Sequence, residues 1–183
     1  MRKNDCRNRL LAAASKILRR GGYAKLTMER ISAESGIAKT TLYRHWPTKS
    51  KLCMDLYLEA AARELRDPDT GDVARDLKEI ARRVVRLQTR TVAGPAFIGL
   101  ISEAHSDPET FAAFSARRRE LTFGILKRAI ERGELRRETN IDLVIDALGG
   151  AVTFRLLQRH APLNNHFVDA LVGLILNGCK EGA

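Results

Sequence analysis

The residues able to do chemistry crowd between Thr27 and Lys49, in the stretch T-M-E-R-I-S-A-E-S-G-I-A-K-T-T-L-Y-R-H-W-P-T-K. On a helix, Lys39, Thr40, Tyr43 and Arg44 fall on one side and present two cations, a hydroxyl and a phenol, with no carboxylate among them. Such a face suits a polyanion, because cations attract phosphates while Lys, Arg and Thr can hydrogen-bond base edges. Other reactive residue types do not assemble. His105-Ser106-Asp107 holds the residue types of a nucleophilic triad, but adjacent residues cannot adopt the relay geometry unaided. H-E-x-x-H, a phosphate-binding Gly loop and G-x-S-x-G are absent from the sequence. Cys6, Cys53 and Cys179 are scattered and odd in number, so neither a disulfide frame nor a zinc site is indicated. The expectation is a protein that is not an enzyme and uses no cofactor or metal.

The elements that must hold the polar face follow from local signals. Thr27 can cap a short helix, with Glu29 in its first turn where a carboxylate suits the helix dipole. Gly36 can end that helix in the left-handed conformation. A second short helix from about Ala38 to His45 turns Ala38, Leu42, His45 and Trp46 inward. Pro47 stops it, and Thr48 can cap the next one. Two short helices joined by a Gly turn, the second polar and basic, describe a helix-turn-helix.

This stretch resembles the DNA-binding signature of the tetracycline-repressor (TetR) family of transcriptional regulators. The resemblance rests on Thr27, Ile31, Gly36, Ile37, Thr41, Leu42, Tyr43, His45, Trp46, Lys49 and Leu52. Ala38 stands where the family often has a capping Ser or Thr, Ser35 where a small apolar residue is usual, and Thr40 where Gly, Ala or Pro is common. The detailed match covers roughly the first 60 residues; beyond that the likeness is the all-helical layout. The resemblance implies that Tyr43, His45 and Lys49 grip phosphates, that Thr27 meets the backbone, and that Thr41 belongs to the same surface. The residues themselves make Lys39, Thr40 and Arg44 the candidates for base edges, and leave core packing open as the alternative for Tyr43 and His45.

Charge supports a nucleic-acid partner. Of the 183 residues, 1–51 hold 13 Lys and Arg against 3 Asp and Glu, whereas 52–183 hold 19 of each. The whole net charge of +10 therefore sits with the helix-turn-helix, as phosphate attraction requires. No apolar run approaches the roughly 18–20 residues of a membrane span, and M-R-K-N-D-C-R-N-R lacks the apolar core of a secretion signal. The expected location is the cytoplasm, with no membrane partner.

The pattern predicts an all-α protein, with a three-helix DNA-binding domain over residues 1–50 and a helical domain over 51–183 that the resemblance makes an effector-binding and dimerisation domain. Helices are expected at 7–20, about 28–35, 38–45, 50–65 and from Asp72 to a break at Gly94-Pro95. A short helix around Phe97–Ile101 follows, then one opened by Asp107-Pro108-Glu109 that runs to about Glu131, then 141–159 and 166–177. Arg2, Lys3, Arg7 and Arg9 read either as a basic arm or as a frayed, solvated terminus. The last two helices are apolar around more of their circumference than one buried stripe needs. A homodimer interface including Leu148, Val152, Phe167, Leu171, Leu174 and Ile175 is the expectation.

The function this implies is a homodimeric repressor whose two recognition helices enter major grooves about 34–36 Å apart on a near-palindromic operator. The resemblance further implies a small molecule bound in the second domain that releases the DNA. Its lining would come from Leu87, Gln88, Thr91, Phe97, His105, Phe111, Phe114 and Phe154, a mostly apolar set; plain core packing is the alternative for each aromatic. A DNA-binding regulator with no small-molecule effector remains the other reading.

Overall fold

The computed structural model describes residues 3–179, with side chains from Asp5 onward. Among the described residues there are nine α-helices and no strand, so the fold is all-α. They are α1 Lys3–Gly21, α2 Met28–Ser35, α3 Lys39–His45, α4 Lys49–Glu64, α5 Val73–Arg90, α6 Ala93–Ser102, α7 Pro108–Glu131, α8 Ile141–Gln158 and α9 Asn165–Asn177. Two compact units result. One holds the described residues up to Arg63 together with Leu87–Ser115; the other holds Glu64–Arg86 and the residues from Ala116 on.

In the first unit, α1 buries Leu10, Leu11, Ala14 and Leu18 at helical spacing and ends where Gly22 takes φ +65°. It starts earlier than the apolar pattern indicated. Arg7 and Arg9 do not form an arm: Arg7 pairs with Asp55 at 3.0 Å and with Glu59, and Arg9 donates to the Ser35 carbonyl at 2.7 Å. Partners far along the chain hold what charge alone left loose. Arg2 and the Lys3 side chain lie outside the described residues.

Helix α4 starts as Thr48 accepts from the Lys51 N–H at 3.2 Å, and it buries Leu52, Cys53, Leu56 and Tyr57. Burial pushes the Cys53 thiol up to about 12, which keeps it protonated and inert. The break expected at Gly94-Pro95 falls earlier, at Thr91-Val92. The Thr91 hydroxyl accepts from the Ala93 N–H and donates to the Leu87 carbonyl, at 3.1 and 2.6 Å. Pro95 then sits in the first turn of α6, where its missing N–H has no intrahelical partner to lose. Gly94 lies so close to the Gln88 carbonyl oxygen that a Cβ would come within 1.9 Å of it. Helix α7 opens as expected: Asp107 accepts from the Thr110 N–H at 3.3 Å, and Pro108 is the first helical residue.

The second unit has one apolar core. Val73, Leu77 and Ile80 of α5, Ile125, Leu126 and Ala129 of α7, Val144 to Val152 of α8, and Val168, Val172 and Leu176 of α9 build it. Helix α8 has two apolar faces, and only one is used within the chain. Leu148 and Val152, expected at a subunit interface, are buried in this core at 8% and 4% exposure. The exposed face carries Leu143, Phe154 and Leu157 instead, joined on α9 by Leu174 at 75% exposure. Phe167, Leu171 and Ile175 are half-buried against the core. Sequence period could not separate the two faces, because a helix apolar all round gives no inward direction.

Candidate nucleic-acid interface

The turn between α2 and α3 is closed by small polar groups. Thr27 caps α2 by accepting from the Arg30 N–H at 3.2 Å, and Gly36 takes φ +66°, the conformation that favours glycine. The Ser35 hydroxyl accepts from the Ile37 N–H at 3.2 Å and donates to the Ser32 carbonyl, while the Ser32 hydroxyl donates to the Ile37 carbonyl at 2.6 Å. Ser35 thus gives the Ile37 N–H a second acceptor beside the Ser32 carbonyl, which lies 3.3 Å away. Ala38 gives α3 no side-chain cap.

Helix α3 is anchored by Leu42 at 0% exposure and Trp46 at 3%. The Trp46 Nε1–H donates to Asp55 at 3.0 Å, and the Arg7 guanidinium lies 5.7 Å from the indole centroid. These contacts fix the rotation of α3. Its outer surface then presents Lys39, Thr40, Tyr43 and Arg44 to solvent, with Thr41 and His45 half-buried at the edges. The His45 ring lies 5.5 Å from that of Trp46. Lys39 reaches Glu29 at 3.2 Å, but both side chains are more than half exposed, so the pair is weak and easily exchanged. Arg44 has no carboxylate partner among the described residues.

Lys49 is placed differently. Its ammonium is 3.1 Å from Glu103 and 3.9 Å from the centroid of the Tyr23 ring. Sequence reasoning missed both partners, and no local signal could have revealed Glu103, which follows α6. It also passed over Arg19, Lys25 and Arg30, which have no carboxylate partner among the described residues, and Arg20, whose charge acts on the Glu34 carboxylate. A cleft of about 560 Å³ lined by Lys16, Arg20, Lys25, Arg30 and Glu34 lies among them, with Lys16 paired to Glu34. The charge imbalance of residues 1–51 was the signal that pointed there.

The residues expected around an effector separate into several environments. Phe97 and Phe114 pack with Tyr57, which stands edge-on to Phe114 at 4.9 Å between centroids, and Phe111 packs on Phe114. Leu87 and Gln88 are buried, and neither amide atom of the Gln88 side chain finds a partner. His105 is exposed, and Phe154 is 58% exposed beside His160, so neither lines an enclosed space. In the second unit, an apolar cleft of about 70 Å³ opens between Ile80, Val84, Ile145, Leu148 and Val152, with Arg118 and Arg119 at its margin. Asp107, of the His105-Ser106-Asp107 run, is occupied as the α7 cap. Among the described residues no cluster of three metal-ligating side chains occurs, and no helix is long and apolar enough to cross a membrane.

The likeness to known proteins covers both parts of the chain. A family model described as bacterial regulatory proteins, tetR family, matches residues 10–54, and one described as tetracyclin repressor-like, C-terminal domain, matches 67–175. The HTH-type transcriptional regulator YdeS of Bacillus subtilis is 30% identical, over 89% of this chain and 84% of its own. The DNA-binding transcriptional repressor TetR of Mycobacteroides abscessus is 31% identical, over 91% of this chain and 90% of its own. The crystal structure of the TetR family transcription regulator SCO0332 matches with a TM-score of 0.78 at 39% identity, covering 95% of this chain and 98% of that one. With a basic, outward-facing α3 held by its own core and both segments matched, the chain belongs to the TetR family of transcriptional regulators, which bind DNA and are not enzymes.

Proposed function

We propose that this regulator is a homodimeric repressor that grips a near-palindromic operator in the cytoplasm. The observation that carries the dimer is the apolar stripe left open on α8 and α9: Leu143, Phe154, Leu157 and Leu174 are 43–75% exposed. Large exposed apolar side chains grouped on adjacent helices mark an interaction surface, and a second copy offers the same stripe under two-fold symmetry. Repression follows the similar M. abscessus protein, whose name is that of a repressor. On DNA, Tyr43, His45, Thr27, Thr41 and Lys49 serve the backbone, and Lys39, Thr40 and Arg44 serve the bases.

Release by a small apolar ligand is part of this reading, supported by the buried Gln88 amide that has no partner. A specific observation favours the alternative of no small-molecule effector. The aromatic cluster is closed on itself, and the cleft of about 70 Å³ is smaller than the roughly 150 Å³ cavity that admits benzene. Thermal-shift screening followed by operator release separates the two: a ligand that raises Tm and frees the DNA supports the first, and stabilisation without release supports the second.

Selection of bound sites from random DNA tests the core of the proposal. A two-fold-related consensus should emerge. Lys49→Ala should lower affinity for all sequences alike and flatten the salt dependence by about one unit for each phosphate no longer gripped. Arg44→Ala should relax preference at one operator position, by about 1–3 kcal/mol if its contact is bidentate. An Arg44→Ala protein weakened equally on every sequence would move Arg44 to the backbone contacts.

A further inference from the structure

Lys49 opens α4 directly after its Thr48 cap, and its charge is already engaged. Nζ lies 3.1 Å from Glu103 Oε1, and the two side chains are only 26% and 30% exposed. The other oxygen of that carboxylate accepts the Ser50 hydroxyl at 2.9 Å. Four residues further on, Asp107 accepts the Thr48 hydroxyl at 3.2 Å. Three consecutive residues at the start of α4 are thus tied to the segment that follows α6. Tyr23 closes the same spot from the other side. Its ring faces the Lys49 ammonium, and Gly99 of α6 passes so near that a Cβ would lie 2.1 Å from ring atom Cδ2. Only glycine at 99 lets α6 come this close.

An ammonium paired with a carboxylate presents little net charge to a phosphate a few ångströms further out, and the phosphate also meets the carboxylate's repulsion. The low exposure matters, since solvent screens this pair less than the open Lys39–Glu29 pair. We propose that Glu103 is a positioning residue for DNA binding: its carboxylate competes with a DNA phosphate for Lys49 and so lowers affinity for DNA of any sequence. The proposal rests on the reading that Lys49 grips a phosphate, and the test separates the two.

Binding of the full-length protein to its selected operator and to an unrelated duplex is measured by fluorescence anisotropy across a salt series. Glu103→Gln keeps the shape and the Ser50 contact but removes the competing charge. It should tighten binding to both duplexes by about two- to five-fold per protomer, the range of a partly exposed ion pair. Glu103→Asp, which retains the charge, should bind more weakly than Glu103→Gln. In a Lys49→Ala background the gain from Glu103→Gln should shrink to the relief of carboxylate–phosphate repulsion alone, because no ammonium is left to release. Glu103→Ala gives the same ordering should Glu103→Gln melt below the assay temperature. Binding by Glu103→Gln that is unchanged or weaker overturns the proposal, as does a gain that is undiminished without Lys49, which would be a bulk charge effect. If Lys49→Ala alone leaves affinity and salt slope as in wild type, the phosphate reading of Lys49 itself fails, whatever Glu103 does.

Discussion

Replacing Leu174 by Asp tests the proposed subunit interface at its most exposed apolar point. Leu174 is 75% exposed in the single chain, so the proposed dimer has up to three-quarters of its surface to cover. Fully burying a leucine is worth about 1.5–3 kcal/mol, which leaves about 1–2 kcal/mol for Leu174 in each protomer. A two-fold interface counts it twice, about 2–4 kcal/mol, or roughly 30- to 900-fold in the dimer Kd. Aspartate adds the cost of an unpaired carboxylate at a closing interface. Sedimentation equilibrium from nanomolar to high micromolar concentration reads this directly, wild type being expected at twice the 20.4 kDa chain mass. Far-UV circular dichroism should show Leu174→Asp still helical, since the residue is outside the protomer core. Leu148→Asp, at 8% exposure within that core, should instead unfold the chain. A Leu174→Asp protein that dimerises with wild-type affinity would refute the assignment of this face.

Phe114 is fully buried and stands edge-on to Tyr57, so Phe114→Ala should cost about 3–5 kcal/mol in urea titration; a loss below about 1 kcal/mol would mean the site collapses without a cavity. Gly94→Ala places a methyl 1.9 Å from the Gln88 carbonyl oxygen, which is backbone and cannot swing away; a destabilisation of about 1–3 kcal/mol is expected, and an unchanged Tm would show that the α5–α6 junction yields. Glu103 titrates below its ordinary value of 4.5: burial works to raise it, and the hydroxyls of Tyr23 and Ser50 with the Lys49 ammonium outweigh that. Stabilisation from a depressed carboxyl is complete above that ordinary value and is lost as pH falls through the lower folded value. Tm should therefore hold from neutral pH to about 5 and then drop on further acidification, less steeply in Glu103→Gln; an equal drop in both would remove Glu103 from the acid transition.

The readable parts of the chain were those decided within a few residues. The Thr27, Thr48 and Asp107 caps sit where their own side chains reach the N–H three residues on. Gly36 marks a left-handed turn because the backbone there needs φ +66°, whatever surrounds it. The outward set on α3 followed from where Leu42 and Trp46 had to be buried. Burial period failed on α8, where both faces are apolar and neighbours alone decide which one closes. Phe154, a lining candidate on the same helix, is exposed for that reason, and His105 lies exposed in the turn after α6.

The sequence by itself determined the helix-turn-helix, its polar face and its confinement of the positive charge, because capping, turn geometry and a 3.6-residue period act locally; the family followed from the resemblance of the residues between Thr27 and Leu52. Tertiary structure alone decided that Arg7 serves Asp55 and Glu59, that Leu148 belongs to the protomer core while Leu174 stays open, and that Lys49 rests on Glu103. Each of these pairs residues far apart in the chain. Which distant carboxylate reaches a given cation depends on how whole helices pack, and no short-range pattern encodes that.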